Sequence, residues 1–501
     1  MTAAAQGRVV TGEARLLVDG ALVDSAAGAM YPNLDPATEE TLGLVADGAV
    51  EDAHTAVTAA RRAFERGGWA DDPEFRARCL RQLHRALSEN SQLFRRIDTA
   101  EAGRPFAATA GSIDAYLPEI DWYAEQAEQY PWEQPRGDSE SHGARHRRSV
   151  HREPIGVTAA ITTWNCGFFL NLTKMCAALA AGNTVVLKPA PETPWQATTL
   201  GRLIVERTEI PPGVVNIVTG TSPAVARELT THRDVDLVTF TGSTDVGRKI
   251  MAQAAPTLKR LTLELGGKSA AIVMPDADLD FAVALVTRIL CTNAGQTCAA
   301  ATRLLLPKSR YAEGVEAATS ALAAIHPGDP WDPATGQGPQ ISAAQHKRVL
   351  DYLEVGRAEG LRLTTGGKRP PHLDRGWFVE PTVFADVPPQ SRLFREEIFG
   401  PVLVVTPYDD SAGRVDEAIR LANDSEYGLH ASVFGTDIER ATTVARQLRV
   451  GSVSVNGANF FGVDVPFGGY KQSGIGRERG VEGFEEFLET KTIAVPAPPS
   501  A

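Results

Sequence analysis

The sequence predicts an α/β protein built as more than one lobe, and three observations carry that prediction. From Gly156 to Phe240, short β-branched apolar runs alternate with helix-patterned stretches, the order expected of a parallel sheet covered by helices. The 501 residues exceed what one small core organises, so two or three domains or lobes are expected. The composition, 43% hydrophobic and 22% charged, is that of a globular chain, and no apolar run approaches the roughly 20 residues that span a bilayer.

Charge and cysteine content narrow the function. A net charge of −12 disfavours nonspecific attraction to nucleic acid. The one dense basic cluster, 142–148, is expected to be a solvated loop or a subunit contact. Cys79, Cys166, Cys176, Cys291 and Cys298 form no Cys-x-x-Cys pair, a pattern of reduced thiols and not of a disulfide framework or zinc site. Residues 1–10 carry neither a secretory signal nor a transit-peptide pattern, so a cytoplasmic enzyme with no membrane partner is expected.

Taken in order, 16–24 reads as two short strands about the Asp19-Gly20 turn, and 50 to about 128 as a helical region. The Pro- and charge-rich stretch 129–151 reads as an exposed excursion. Strands are expected at 157–162, 184–187, 214–218 and 235–240. Parallel sheets bind ligands at the carboxyl ends of their strands, which singles out Trp164, Asn165, Lys188, Gly242 and Ser243. The stretch 241–247 follows a strand and opens a helix, where backbone amides can hold a phosphate, although a plain strand-to-helix turn explains it equally well. The glycines at 474–480 are misspaced for that role. Glu264 ends an apolar run, either as a strand-end residue reaching water or Lys268, or as a general base tuned by burial. Phe281, Leu285 and Ile289 stand at helical spacing within 278–292, and Asn293 and Gly295 then tolerate a left-handed ending. Cys298 therefore falls just past a helix end, ahead of a strand at 303–306. A further α/β region extends to about Val455 and includes the Phe-Gly-Pro turn at 399–401; a helix at 480–488 and an edge strand at 491–495 close the chain.

A thiol becomes a strong nucleophile with a modest pKa shift and suits carbonyl chemistry, because the thioester it forms can be hydrolysed. Cys298 in Thr-Asn-Ala-Gly-Gln-Thr-Cys-Ala-Ala, 292–300, is accordingly the candidate nucleophile for aldehyde oxidation, although a lone free cysteine is more often a small buried hydrophobe.

With these pieces in place the chain closely resembles the aldehyde dehydrogenase superfamily, in its NAD(P)-dependent, non-acylating branch. The resemblance rests on Thr-Trp-Asn at 163–165, Val-Val-Leu-Lys-Pro at 185–189, Phe-Thr-Gly-Ser-Thr at 240–244, Leu-Glu-Leu-Gly-Gly-Lys at 263–268, Asn-Ala-Gly-Gln-Thr-Cys at 293–298, Glu-Ile-Phe-Gly-Pro at 397–401 and Pro-Phe-Gly-Gly-Tyr-Lys-Gln-Ser-Gly at 466–474. It implies a doubly wound NAD(P)-binding domain (1–128 and 152–265), an α/β catalytic domain (266–470) and a small β oligomerisation arm (129–151 and 480–501) in a homodimer or homotetramer. It implies Cys298 as nucleophile, Asn165 and the Cys298 N–H as oxyanion donors, and Glu264 as the base that activates water and can also take the thiol proton. For the cofactor it implies Trp164, Lys188, Gly242, Ser243, Val246, Glu397 and Phe399. Pro191 stands where the family often has a ribose-binding glutamate, with Glu192 next to it, so NAD is expected and NADP stays open. Cys166, Thr297, Phe461 and Phe467 are expected to line a substrate tunnel roomy near the carbonyl and walled by aromatics, suited to a bulky or aromatic aldehyde. A coenzyme A-acylating enzyme, a thiol esterase and a noncatalytic binding protein are the competing readings; the presence of Glu264 counts against the first.

Overall fold

The computed structural model describes residues 9–497, so the reading of 1–10 as free of a targeting signal falls almost wholly outside the described residues, as does the end of the arm. The strand–helix alternation resolves into two large sheets. The first has eight strands in the order Ala21–Val23, Leu16–Val18, Val215–Ile217, Thr184–Lys188, Val157–Ile161, Leu237–Thr241, Arg260–Glu264 and Gly474–Ile475. Its five central strands are parallel and its outer strands antiparallel. The expected hairpin is present, with Asp19 (φ 53°) and Gly20 (φ 77°) both left-handed, the geometry that an Asp-Gly hairpin turn requires. From Val157–Ile161 the connections run outward one way to Thr184–Lys188 and the other way to Leu237–Thr241, so strand order reverses between them. A crevice opens at such a reversal, outside the strand carboxyl ends.

The second sheet has seven strands, ordered Arg362–Thr365, Thr382–Ala385, Val402–Tyr408, Ala301–Pro307, Ser269–Val273, His430–Phe434 and Ser452–Val455. All its pairings are parallel except that of Arg362–Thr365 with Thr382–Ala385. The strands beneath each core are buried on both faces, which is why they read as continuous apolar runs and not as alternation.

The 129–151 excursion becomes a hairpin, Glu133–Ser141 and Ala144–Pro154, extended by Leu488–Pro496 into a three-stranded sheet. The basic cluster lies at its tip, where Arg145 pairs with Asp138. Residues 480–487, grouped with this arm in the sequence reading, go elsewhere: helix Gly480–Glu485 carries Phe484 into the core of the first sheet, and Phe487 follows it.

The helix expected within 278–292 is present and carries two apolar stripes. Helix Leu279–Cys291 turns Leu279, Val283, Val286 and Leu290 to the second sheet. Phe281 and Ile289 are 48% and 45% exposed, and Leu285 is half-buried against the same core, so the residues named from sequence run along the outer side of the helix and its margin. Two apolar stripes fit one helix when only one is covered by its own chain. Among the described residues, no helix is long and apolar enough to cross a membrane.

Candidate active site

Cys298 lies in a loop whose shape is fixed by contacts of its own backbone. After helix Leu279–Cys291 the chain passes through left-handed Ala294 (φ 50°) and Gly295 (φ 75°). Ala294, not Asn293, takes the non-glycine left-handed position; Asn293 is used for its side chain. A Cβ on Gly295 would stand 2.0 Å from the Gly400 carbonyl carbon, and one on Gly267 would stand 2.4 Å from the Cys298 carbonyl oxygen. Glycine at both positions thus lets the Phe-Gly-Pro turn and the end of the 263–268 run press directly on the loop that carries the thiol.

Asn165 is held from three sides. Its backbone carbonyl accepts from Arg104 Nη2 and from Asn293 Nδ2, each at 2.9 Å. Its carboxamide nitrogen donates to the Gln296 carbonyl at 3.1 Å. Gln296 is itself fixed, donating to the Asn293 carbonyl (3.1 Å) and accepting from the Ile341 N–H (2.9 Å). A primary amide has two N–H groups, and the Gln296 carbonyl takes one, so the second is free for a ligand.

Glu264 ends strand Arg260–Glu264, and its carbonyl accepts from the Gly242 N–H at 3.0 Å, which ties it to the strand-to-helix turn. Its side chain is buried, and Oε2 has no hydrogen-bond partner. Burial pushes this carboxyl well above its ordinary range, and the Glu478 charge adds to the effect, while Lys174 and Arg477 oppose it. The expected alternative, pairing with Lys268, does not occur: Lys268 Nζ is also without a partner and is drawn down to about 7 by burial and by Arg303. Burial likewise raises the Cys298 thiol, with the negative charges of Glu397, Cys166 and Glu264 adding to it; only the Ala299 N–H acts the other way.

Trp164, Asn165, Ser243, Cys298, Glu397 and Phe399 line one cleft of about 570 Å³, with Gly242 at its wall. A Cβ on Gly242 would strike the Phe240 ring at 2.3 Å. Ser243 caps helix Thr244–Ala254 by accepting from the Val246 N–H, and Val246 is itself 40% exposed. Glu397 accepts from the Gly267 N–H at 2.8 Å, and Phe399, at a strained φ of 63°, meets Trp164 edge-on at 5.4 Å. Lys188 and Glu192 lie away from the cleft wall. Lys188 donates to the Gly220 carbonyl at 3.1 Å and is drawn down to about 8 by burial, and its charge lowers the Glu192 carboxyl against the larger upward effect of burial.

Of the expected tunnel residues, Phe461 and Phe467 meet edge-on at 5.1 Å, and Phe169, not singled out from sequence, meets Phe461 at 5.5 Å. Thr297 is half-buried beside the thiol. The Cys166 thiol lies 3.9 Å from Arg104 Nη2. Sequence reasoning missed Arg104, which holds Asn165 and is anchored by Asp98 at 2.8 Å. It also set aside 474–480, which supplies Glu478, hydrogen-bonded to Lys174; Lys174 in turn donates to Thr239 at 3.0 Å. A carboxylate and a lysine separated by some 300 positions carry no joint signal in one sequence.

Comparison with known proteins matches the aldehyde dehydrogenase family over residues 22–493. The chain is similar to 3-succinoylsemialdehyde-pyridine dehydrogenase of a Pseudomonas species, 42% identical over 480 residues covering 95% of this chain and 97% of the other. Its fold is similar to an aldehyde dehydrogenase of Mycobacterium tuberculosis complexed with NAD+, at 40% identity, TM-score 0.93, and 98% and 100% coverage. It is also similar to betaine aldehyde dehydrogenase of Staphylococcus aureus in complex with NAD+, at 34% identity, TM-score 0.93, and 98% and 96% coverage. Likeness that runs unbroken through both sheets and the loops between them admits one conclusion: the chain belongs to the aldehyde dehydrogenase family.

Proposed function

We propose that this protein oxidises an aldehyde to the carboxylic acid with NAD, through a thiohemiacetal and then a thioester on Cys298. The observation that carries the reading is the convergence on one cleft of the Cys298 thiol and the Asn165 amide, with a buried, unpartnered Glu264 carboxyl whose charge is felt at that thiol. Cys298 attacks the carbonyl, and the oxyanion is received by Asn165 and the Cys298 N–H. Nicotinamide bound in the cleft supplies the hydride acceptor. Glu264 then takes a proton from water, which cleaves the thioester and frees the acid. A base for water is what a coenzyme A-acylating enzyme does not need, so Glu264 favours hydrolysis.

The residues present fit a dinucleotide. The first-turn amides of helix Thr244–Ala254 and Ser243 suit the pyrophosphate, Gly242 lets it approach, Trp164 and Phe399 flank the cleft, and Glu397 is placed for the ribose beside nicotinamide. The Mycobacterium tuberculosis and Staphylococcus aureus structures contain NAD+. At the adenosine end Lys188 with Glu192 stands in for the missing acid at Pro191, and the Glu192 carboxylate disfavours a 2′-phosphate, which supports NAD over NADP. In this reading 1–128 and 152–265 form the NAD-binding domain, 266–470 the catalytic domain, and the three-stranded sheet the arm of a homodimer or homotetramer. Ile493 and Val495 on that sheet and the outer stripe of helix Leu279–Cys291 are apolar surfaces that a second subunit would cover. Five free cysteines suit the reducing cytoplasm.

The aromatic cluster at Phe169, Phe461 and Phe467 supports a bulky or aromatic aldehyde, and the Pseudomonas relative is named for a pyridine-bearing one. Steady-state NADH and NADPH formation across aliphatic and aromatic aldehydes, without coenzyme A, tests the whole reading. It expects higher kcat/KM for benzaldehyde than for acetaldehyde, and the reverse order would overturn the substrate class. Asn165→Ala should lower kcat/KM by on the order of 10²–10³, as loss of one preorganised oxyanion donor does, with KM for NAD unchanged. An equal fall in NAD affinity would instead assign Asn165 to the shape of the cleft.

A further inference from the structure

The aromatic cluster contains a cation that the reaction does not use. Arg479 is 2% exposed and sits at φ 64°, a left-handed conformation that costs an arginine energy. Its guanidinium carbon lies 3.9 Å from the Phe461 ring centroid and 5.3 Å from that of Phe169. Nη2 donates to the Glu119 carboxylate, while Nε and Nη1 have no acceptor. A buried arginine serving only as a strut has its donors satisfied, because each unmade bond costs stability.

The cluster joins Arg479 to the reacting centre. Phe467 exchanges two backbone hydrogen bonds with Glu478, at 2.7 and 2.8 Å. The next residue, Gly468, comes so close to Glu264 that a Cβ would stand 2.7 Å from its Oε1. From Phe467 the rings continue through Phe461 to Phe169 and to Tyr116, 4.2 Å beyond. The segment that carries Phe467 and Arg479 therefore also packs on Glu264, which sets the aromatic cluster beside the carboxyl of the reacting centre.

We propose that Arg479 selects aldehydes whose far end carries a carboxylate, joined to the aldehyde by an apolar or aromatic body. This rests on the dehydrogenase reading and refines its substrate class. The guanidinium presents planar N–H donors matched to a carboxylate, and Phe461 stacked on its face holds that plane in place. Glu119 yields to a second carboxylate more readily than a surface acid would, since burial lifts its carboxyl to about 7 and it can take up a proton as the substrate anion arrives. A substrate with a quaternary ammonium tail would instead meet a positive charge, so this site opposes cationic aldehydes.

The test uses the full-length protein with NAD and three aldehydes of one shape: 4-carboxybenzaldehyde, 4-methylbenzaldehyde and 4-(trimethylammonio)benzaldehyde. The wild type should favour the carboxylate over the methyl compound by roughly tenfold or more in kcat/KM, with the cation poorest, a ratio set by one charge-assisted hydrogen bond. Arg479→Leu should erase that preference through KM and leave the methyl compound within about threefold of its wild-type value. Glu119→Gln should widen the preference, and it decides the question alone if Arg479→Leu melts too early to assay. Equal losses for charged and neutral aldehydes in both variants would make Arg479 a strut and overturn the proposal, as would preference for the cation. Turnover of none of the three would overturn the dehydrogenase reading itself, and this assignment with it.

Discussion

Cys298→Ala is expected to abolish aldehyde-dependent NADH formation, with kcat falling by at least about 10⁴-fold, while NAD binding and melting temperature stay near wild type. The size of the effect follows from the absence of a substitute. Cys79 and Cys176 are buried in the first core and Cys291 in the core beneath the second sheet, where burial drives each thiol upward, the last to about 12. Cys166 is the other half-buried thiol, but it is turned to Arg104. The retained stability follows from the geometry: the loop is held by Gly267 and Gly295 packing on backbone and by Asn293 and Gln296 side chains, none of which depends on the Cys298 sulfur. Cys298→Ser tests the chemistry apart from the space, because a hydroxyl of similar size is a far weaker nucleophile at neutral pH, and it should be nearly as inactive as alanine. Mass spectrometry after mixing with aldehyde and NAD checks the assignment directly. An acyl adduct on any residue of the Cys298→Ala protein would move the nucleophile elsewhere.

Much of this arrangement is legible in the sequence, and the reasons differ by element. Parallel strands are covered on both faces, so 157–161, 184–188 and 237–241 announce themselves as continuous apolar runs, and the residues at their ends follow from sheet geometry. Cys298 is recognisable because a helix stop and a strand start bracket it within ten residues. Helix Leu279–Cys291 shows the limit of such reading: the spacing of Phe281, Leu285 and Ile289 gives the helix, yet it does not say which of two apolar stripes meets the core. The partners brought together only by tertiary folding are invisible for a different reason. Arg104 reaches Asn165 across 61 positions, Lys174 reaches Glu478 across 304 and Glu119 reaches Arg479 across 360. Each partner taken singly looks like a surface charge on a helix or loop. The stretch 474–480 reads from sequence only as misspaced glycines, yet it carries Glu478 to Lys174 and Arg479 to Glu119.

Glu264→Gln should separate the two half-reactions. If Glu264 serves chiefly as base toward water, the variant will still form the thioester and then stall, giving a burst of about one NADH per site followed by a steady rate about 10²–10⁴-fold below wild type, the range of general-base effects. Loss of the burst as well would show that the same carboxylate is needed earlier, to take the Cys298 proton. The pH dependence follows from the same burial. Both groups are held toward their neutral forms, the carboxyl and the thiol each raised above its ordinary range, and in both the deprotonated form is the reactive one. Activity should therefore climb as pH rises past the ordinary carboxylate range into the alkaline region, and Glu264→Gln should remove the contribution of the carboxyl to that climb. Stability should move in the opposite sense. A carboxyl whose folded pKa lies above its ordinary value of 4.5 imposes no ionisation cost below that value, and an increasing one as pH rises toward the folded pKa. Glutamine carries no such cost, and Lys174 keeps its own partner in Glu478, so no charge is left uncompensated. The variant should thus melt at or above the wild-type temperature at pH 8 while turning over far more slowly, and a lower melting temperature would mean that the buried Glu264 charge is stabilised by a contact beyond Lys174 and Arg477.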